Sequence, residues 1–303
     1  MSSSEEPSNW HPPFAPVKIL QPLRKTSRML PITVVIPVRN EEKNLPSCLK
    51  ALGSDFTEIV VVDSRSTDGT REVATKAGAK VLDFVWDGKF PKKRNWALRN
   101  HQFTTPWVLF LDADEQVTPD FVQELRKTLA DTPQAGFWIS LTNWFMGSPL
   151  HHGDVFHKLA LFRIGAGEYE SFPEDSWSHL DMEVHEHPVL DGGIGEIHAR
   201  LEHHDFRGMK HYIAKHNEYS SWEANRFHWL KSAGDDEWAK LNTRQRFKYR
   251  NLDKWWLGWV YWFVAYVLKK GFLDGRAGWT FNRLKRRYFD EIRLKICEHR
   301  TLK

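Results

Sequence analysis

The stretch WVLFLDADE, residues 107–115, is the key to this chain. Its first five residues are all apolar, which suits a short strand buried on both faces. The run then stops on two carboxylates, Asp112 and Asp114, flanking the small Ala113. Upstream lie three more runs of this kind, ITVVIP (32–37), TEIVVVD (57–63) and AKVLDF (79–84). Between them are segments with helical spacing: NLPSCLKAL (44–52), DGTREVATKAG (68–78) and PKKRNWALRNHQ (91–102). Asp68 opens the second of these and Gly78 stops it, while Pro91 suits a first turn. TPDFVQELRKTLA (118–130) follows, opened by Thr118 and Pro119. The alternation predicts an α/β fold with a mostly parallel, Rossmann-like sheet and helices on both faces.

After residue 134 the pattern changes. AGFWISLTNWF (135–145) and KLALFRI (158–164) read as longer strands, and MKHYIAKHNEYSSWEANRF (209–227) reads as a helix. The chain then runs through WWLGWVYWFVAYVL (255–268) into a basic tail, which predicts a C-terminal helical extension. The leader MSSSEEPSNWHPPFAP lacks the basic start and apolar run of a secretory signal. Five prolines before residue 30 make it an extended or flexible segment. The expected division is a leader (1–30), a first α/β half (31–145), a second half (146–235) and the extension (236–303).

Composition excludes several classes. An apolar fraction of 41% over 303 residues supports a sizeable core and argues against disorder. A net charge of +4 with both signs interspersed gives no footprint for nucleic acid. Cys48 and Cys297 form no metal or disulfide framework, which fits a reducing cytoplasm. The 15 tryptophans, many in the last third, suit places where a ring is half apolar and half wet.

In an open parallel sheet, ligands bind beyond the carboxyl ends of the strands. Three polar clusters fall there: Pro37 to Glu42, Asp63 to Thr70, and Asp112 to Glu115. Asp112 and Asp114 can share a divalent cation, and hard oxygen ligands suit Mg²⁺ or Mn²⁺ bridging to substrate phosphates. Glu115 fits an acidic residue that complements a helix N-terminus.

In order, spacing and strand context, VVIPVRNEEKNLPSCLKAL, EIVVVDSRSTDGT and WVLFLDADE resemble the signature of the family-2 glycosyltransferases, which have a GT-A fold. The resemblance covers residues 31–130 and extends through VHEHPVL and LEHHDF toward a bacterial subgroup that builds lipopolysaccharide core or similar envelope glycans. It implies inverting transfer from a nucleotide diphosphate sugar, most often a UDP-sugar, to a lipid-linked or envelope glycan. Pro37, Arg39, Asn40 and Glu41 then match the nucleoside-holding segment, and Asp63 the residue that reads the base. Ser64 stands where many relatives carry a second acidic residue. Arg94 matches a basic residue facing the diphosphate; Lys92 and Lys93 are expected to be solvated helix-start charges. Asp112 and Ala113 match the ribose and metal side, and Asp114 the direct metal ligand. The implied general base falls on Glu186, with Asp175 as the alternative.

Eight histidines lie between residues 179 and 216, without zinc-protease spacing. His203 resembles a late histidine that completes the metal shell in some GT-A enzymes; a structural or acceptor-facing role stays open. The 255–268 segment is too short to span a bilayer. Beside it, residues 269–303 hold 11 Lys or Arg against 4 Asp or Glu. Peripheral docking on an anionic inner membrane face and a helix buried against the catalytic domain are the two readings. Two other functions are weighed against the transferase. A nucleotidyltransferase would carry a Gly-rich phosphate loop after the first strand, which PVRNEE lacks, and a non-catalytic membrane-surface binder would not need the intact Asp112/Asp114 pair.

Overall fold

The computed structural model describes residues 29–171, 181 and 187–301. The leader up to residue 28 and the two candidate bases, Glu186 and Asp175, lie outside the described residues. The first strand, β1 (Leu30–Val38), has every residue from Ile32 to Val38 buried. Side chains of a strand alternate between faces, so both faces of the sheet are covered. The alternation continues as α1 (Leu45–Leu52), β2 (Phe56–Asp63), α2 (Thr70–Lys76), β3 (Lys80–Asp83), α3 (Lys93–Asn100) and β4 (Trp107–Phe110). A short strand, β5 (Glu115–Gln116), precedes α4 (Pro119–Thr128). Thr118 caps α4, its hydroxyl accepting from Phe121 N at 3.1 Å, and the helix buries Phe121, Val122 and Leu125. The second half supplies β6 (Gly136–Phe145), β7 (Ser148–Leu150), β8 (Phe156–Arg163), β9 (Gly167–Tyr169), β10 (Pro188–Leu190) and β11 (Ile194–His203).

Nine strands form one sheet in the order β3-β2-β1-β4-β8-β6-β11-β5, with β7 beside β6; β9 and β10 pair separately. β1 to β4 are mutually parallel. β8 lies antiparallel to both β4 and β6, and β11 is parallel to β6. Six strands therefore point one way, and β5, β7 and β8 the other. The sheet is mostly parallel in direction, as expected, with β8 wedged between its two halves.

From residue 209 onward the chain is helical: α5 (Met209–Ser232), α6 (Asp235–Lys240), α7 (Thr243–Asn251), α8 (Leu257–Phe263) and α9 (Gly275–Thr301). A π-helical turn (Val264–Leu268) and a 3₁₀ turn (Gly271–Asp274) join α8 to α9. These helices bury their own core, which includes Phe227, Tyr249, Leu257, Phe289 and Ile292. A seam of Phe145, Leu150, Tyr212, Ala277 and Phe281 fastens them to the sheet. The 255–268 segment follows neither expectation entirely. Leu257, Gly258 and Ala265 are buried, while Trp255, Trp259, Phe263 and Leu268 are exposed. No helix among the described residues is long and apolar enough to cross a membrane.

Candidate active site

The three polar clusters meet at the carboxyl ends of β1, β2 and β4, because parallel register sets Val38 beside Asp63 and Val35 beside Phe110. In the first loop, Pro37 is buried and Arg39 exposed. Asn40 has φ 57°, a left-handed conformation that asparagine tolerates better than most residues. Its side-chain oxygen accepts from Thr67 N at 2.8 Å, and its own N–H donates to Ser66 Oγ at 2.9 Å. Glu41 N donates to Thr70 Oγ1 at 2.8 Å, and the Glu41 carboxylate accepts from Arg207 Nη2 at 2.6 Å. The first loop is thus laced to the second and to the segment after β11.

Asp63 is fully buried at the end of β2. Its carboxylate accepts from the Ser66 N–H and hydroxyl and from Arg71 Nη1 at 3.1 Å. Arg71 also pairs with Asp83. Beside Asp63, the hydroxyl of Ser64 is buried with no hydrogen-bond partner among the described residues.

The third loop holds the concentrated charge. β4 ends at Phe110, so Asp112 lies just past the strand rather than on it. Arg94 Nη2 donates to Asp112 Oδ1 at 2.7 Å, and Lys158 Nζ lies 3.8 Å from Oδ2. Burial raises the Asp112 carboxyl, but Lys158 and Arg94 outweigh it and hold it below the usual carboxylate range. Ala113 is buried. Glu115 is not a solvated helix-start charge: it is 2% exposed, accepts from Asp112 N at 2.9 Å and pairs with Lys158. Burial, aided by Asp112, pushes its carboxyl up. Lys92 and Lys93 also depart from the solvated reading, for both are buried. Lys93 Nζ donates to Val38 O at 3.1 Å and lies 3.3 Å from Asp181 Oδ2, while its N–H donates to Asp181 O at 3.0 Å. Desolvation lowers its ammonium pKa, against the pull of Asp181.

β11 brings the late histidine to this edge. His203 pairs with Glu115 across β11 and β5, and His204 N donates to Asp114 O at 2.8 Å. His203 Nε2 is then 3.6 Å from Asp114 Oδ1. Burial lowers the His203 imidazole, but Asp114 more than compensates and its pKa rises. Burial likewise opposes the Asp114 carboxylate, yet His203, Lys215 and Arg207 hold it well below the ordinary range. One ligand atom from each of Asp114, His203 and Asp205 lies within 4.8 Å of the others. The buried Asp114 Oδ1 and Asp205 Oδ1 have no hydrogen-bond partner among the described residues. Two orphaned carboxylate oxygens beside an imidazole fit a divalent cation. Asp112 is not in this converging set.

Sequence reasoning passed over Lys158, Asp205, Arg207 and Lys215. Asp205 stood in the LEHHDF motif, two residues after His203 and hence on the same side of an extended chain. Lys158 sat in a strand segment, and nothing in its neighbourhood marked it.

The sequence profile of the family described as Glycosyl transferase family 2 matches residues 33–167. The chain is similar to the lipopolysaccharide core biosynthesis glycosyltransferase LpsC of Rhizobium meliloti, at 30% identity over 65% of this chain and 71% of LpsC. An uncharacterised glycosyltransferase of Rickettsia conorii is 31% identical over 82% of this chain and 83% of its own length. A TPR repeat-containing protein of Synechococcus elongatus is 38% identical over 35% of this chain, which spans only 26% of that protein. Among solved structures, glucosyl-3-phosphoglycerate synthase from Mycobacterium tuberculosis, in complex with Mn²⁺, UDP and glucosyl-3-phosphoglycerate, is 25% identical. That match covers 41% of this chain and 46% of that one, and its TM-score of 0.29 is too loose to bear on the site.

Proposed function

We propose that this chain, which belongs to glycosyl transferase family 2, moves a sugar from a UDP-sugar to a lipid-linked or envelope glycan with inversion at the anomeric carbon. The observation that carries the reading is the meeting of Asp114 and His203 at the strand-end edge that also holds Asp63, Asn40 and Arg94. The laced loops around Asn40 and Asp63 hold the nucleoside, with the Ser64 hydroxyl free to meet base or ribose. Arg94 faces the diphosphate from beside Asp112. When bound at Asp114 and His203, Mg²⁺ or Mn²⁺ neutralises charge on the leaving diphosphate. A carboxylate takes the acceptor hydroxyl's proton, the oxygen bonds to the anomeric carbon, and the bond to the diphosphate breaks on the opposite side. Glu186 is the proposed base, with Asp175 second. Lys93 holds Asp181, which stands shortly before Glu186 in sequence, against the end of β1.

The division into donor-binding half (31–145), acceptor-binding half (146–235) and extension (236–303) belongs to this proposal. So does a place on the cytoplasmic face of the inner membrane, reached through the exposed aromatic side of α8. Two supports favour an envelope-glycan acceptor: the similarity to LpsC and that aromatic face.

The experiment is a thermal-shift screen of nucleotide sugars with and without Mn²⁺, followed by transfer assays. A donor at 100 times its Kd adds about 2.7 kcal/mol of stability. Asp114→Ala should lose that gain while keeping the fold. Glu186→Gln should keep it and lose transfer by about 100-fold or more. A metal-independent gain in Asp114→Ala would overturn the reading, and normal turnover in Glu186→Gln would move the base to Asp175.

A further inference from the structure

The ends of the Asp114, His203 and Asp205 side chains are not equally free. His203 Nδ1 lies 2.7 Å from Asn143 Oδ1. An amide oxygen only accepts, so the hydrogen is on Nδ1 and Nε2 turns toward Asp114. Asp205 Oδ2 accepts from Lys215 Nζ at 2.9 Å, whereas its buried Oδ1 accepts nothing. Asp114 Oδ1 is likewise buried and empty-handed, since His203 at 3.6 Å is too far for a hydrogen bond. His203 and Asp205 are thus each fixed by a partner on the outward atom, while Asp114 Oδ1 and Asp205 Oδ1 have none among the described residues. Supporting partners of this kind are what hold metal ligands in orientation.

The local chain explains the convergence. β11 ends at His203, cross-paired to Glu115. In the extended run beyond it, alternate residues take opposite sides. His203 and Asp205 face Asp114, while His204 turns away and stacks on Trp144 at 5.0 Å.

We propose that Asp205 is the third protein ligand of the cation held by Asp114 and His203. The inference rests on the metal-assisted reading above and names a residue that it left open. Two carboxylate oxygens and one imidazole nitrogen form a mixed set. Mg²⁺ prefers oxygen and holds its water, whereas Mn²⁺ accepts carboxylates and takes an imidazole more readily. Three protein ligands leave about half of a six-fold shell for diphosphate oxygens and water. Lys215 is a positioning residue that holds Asp205 by its other oxygen.

The test is a titration of the full-length chain with Mn²⁺, with and without UDP, read by electron paramagnetic resonance and by water-proton relaxation. Wild type should bind Mn²⁺ under at least one of these conditions. Asp205→Asn should lose tenfold or more in Mn²⁺ affinity and gain one metal-bound water. Lys215→Met should weaken Mn²⁺ binding about tenfold, as loss of a supporting partner does, with an unchanged water count, which separates support from ligation. His203→Gln should remove the nitrogen coupling from the spectrum. Unchanged affinity and water count in a folded Asp205→Asn would overturn the assignment and leave Asp205 as a partner of Lys215 alone. A wild-type chain that binds no Mn²⁺ under either condition would overturn the site. Three-ligand Mn²⁺ binding without transfer from any nucleotide sugar would uphold this inference and remove the transferase reading.

Discussion

The strand-end loops and the C-terminal helices bury opposite kinds of side chain. Asp63 is 0% exposed, Glu115 2% and Lys93 2%, whereas Trp255 is 69% exposed, Leu268 62% and Phe263 49%. Burying a charge is costly unless it is paired and hydrogen-bonded. At the sheet edge each of these charges has its partner: Arg71 for Asp63, Lys158 for Glu115, Asp181 for Lys93. Such an edge is set before any ligand arrives, which is how electrostatic stabilisation of a leaving group avoids reorganisation. The helical face has the inverse arrangement. Trp262 stacks on Tyr266, Trp279 meets both edge to face, and the rings beyond them stand in water. Among the described residues, Arg286 and Arg283 reach over Trp259 and Trp279, with cations at the rim of an apolar plate. Contiguous exposed apolar surface of this kind marks a place of contact. One region pairs its buried charges within the fold, and the other leaves its rings in water.

The sharpest way to break the contrast is to remove a buried charge. Glu115→Ala leaves Lys158 with only the distant Asp112 oxygen and deprives Asp112 N of its acceptor. Stranding one partner of a buried pair costs about 3 kcal/mol or more, so the denaturant midpoint should fall clearly. Glu115→Gln should recover part of the loss by accepting from Asp112 N. A change below about 0.5 kcal/mol in Glu115→Ala, the range of ordinary surface substitutions, would show that water already reaches the edge and that it is not preorganised.

How far the sequence alone reveals these two regions follows from the same contrast. Strands β1, β2 and β4 are legible because a strand covered on both faces must be apolar throughout, and Asp63 and Asp112 stand where such runs stop. The placement of β8 between β4 and β6 is not legible. It is a non-local pairing that no periodicity within KLALFRI encodes, and with it goes the role of Lys158. Lys92 and Lys93 read as solvated because adjacent cations at a helix start usually are. That Lys93 instead lies under Val38 O depends on Asp181, almost ninety residues away. The 255–268 segment hides its two faces because both are apolar. Packing against α5, α7 and α9 distinguishes buried Leu257 from exposed Trp259 and Phe263.

A milder perturbation tests the exposed region. Replacing Trp255, Trp259 and Phe263 by Ser removes apolar surface already in water, so the melting temperature should stay within about 2 °C of wild type. Binding to anionic vesicles should fall on the order of 100-fold, since each ring lost forgoes about 25 cal/mol per Å² of buried area. The apolar part of binding should resist salt. The part contributed by the basic tail should fade as screening shortens to about 8 Å at 0.15 M. A large drop in melting temperature with vesicle binding unchanged would mean that the rings serve the fold. A wild-type chain that stays in the supernatant with anionic vesicles at low salt would remove the membrane from the proposal.

The smallest expected effect lies at the joint between the two regions. Asp154, in the loop between β7 and β8, reaches Lys269 at 3.0 Å, Arg244 at 3.4 Å and Lys285 at 3.5 Å, all from the helical extension. Its burial favours the neutral acid, but Lys285, Lys269 and Arg244 outweigh that and hold the carboxyl below its usual value. A carboxyl depressed by folding contributes stability at pH values above its unfolded pKa, and that contribution is lost as pH falls through the lower folded value. Wild type should therefore exceed Asp154→Asn by a constant margin from about pH 8 to pH 5, and the two should converge below about pH 4. The margin should be about 1 kcal/mol, because Arg244 and Lys269 are well exposed and such pairs are weak, and an asparagine oxygen remains to accept from the less exposed Lys285. High salt should shrink it further. Identical stability of the two proteins across the whole range would show that the apolar seam of Phe145, Leu150, Tyr212, Ala277 and Phe281 fastens the helices unaided. A margin that grew toward low pH would have the wrong sign for a depressed carboxyl and would mean that Asp154 is held as the neutral acid in the folded chain.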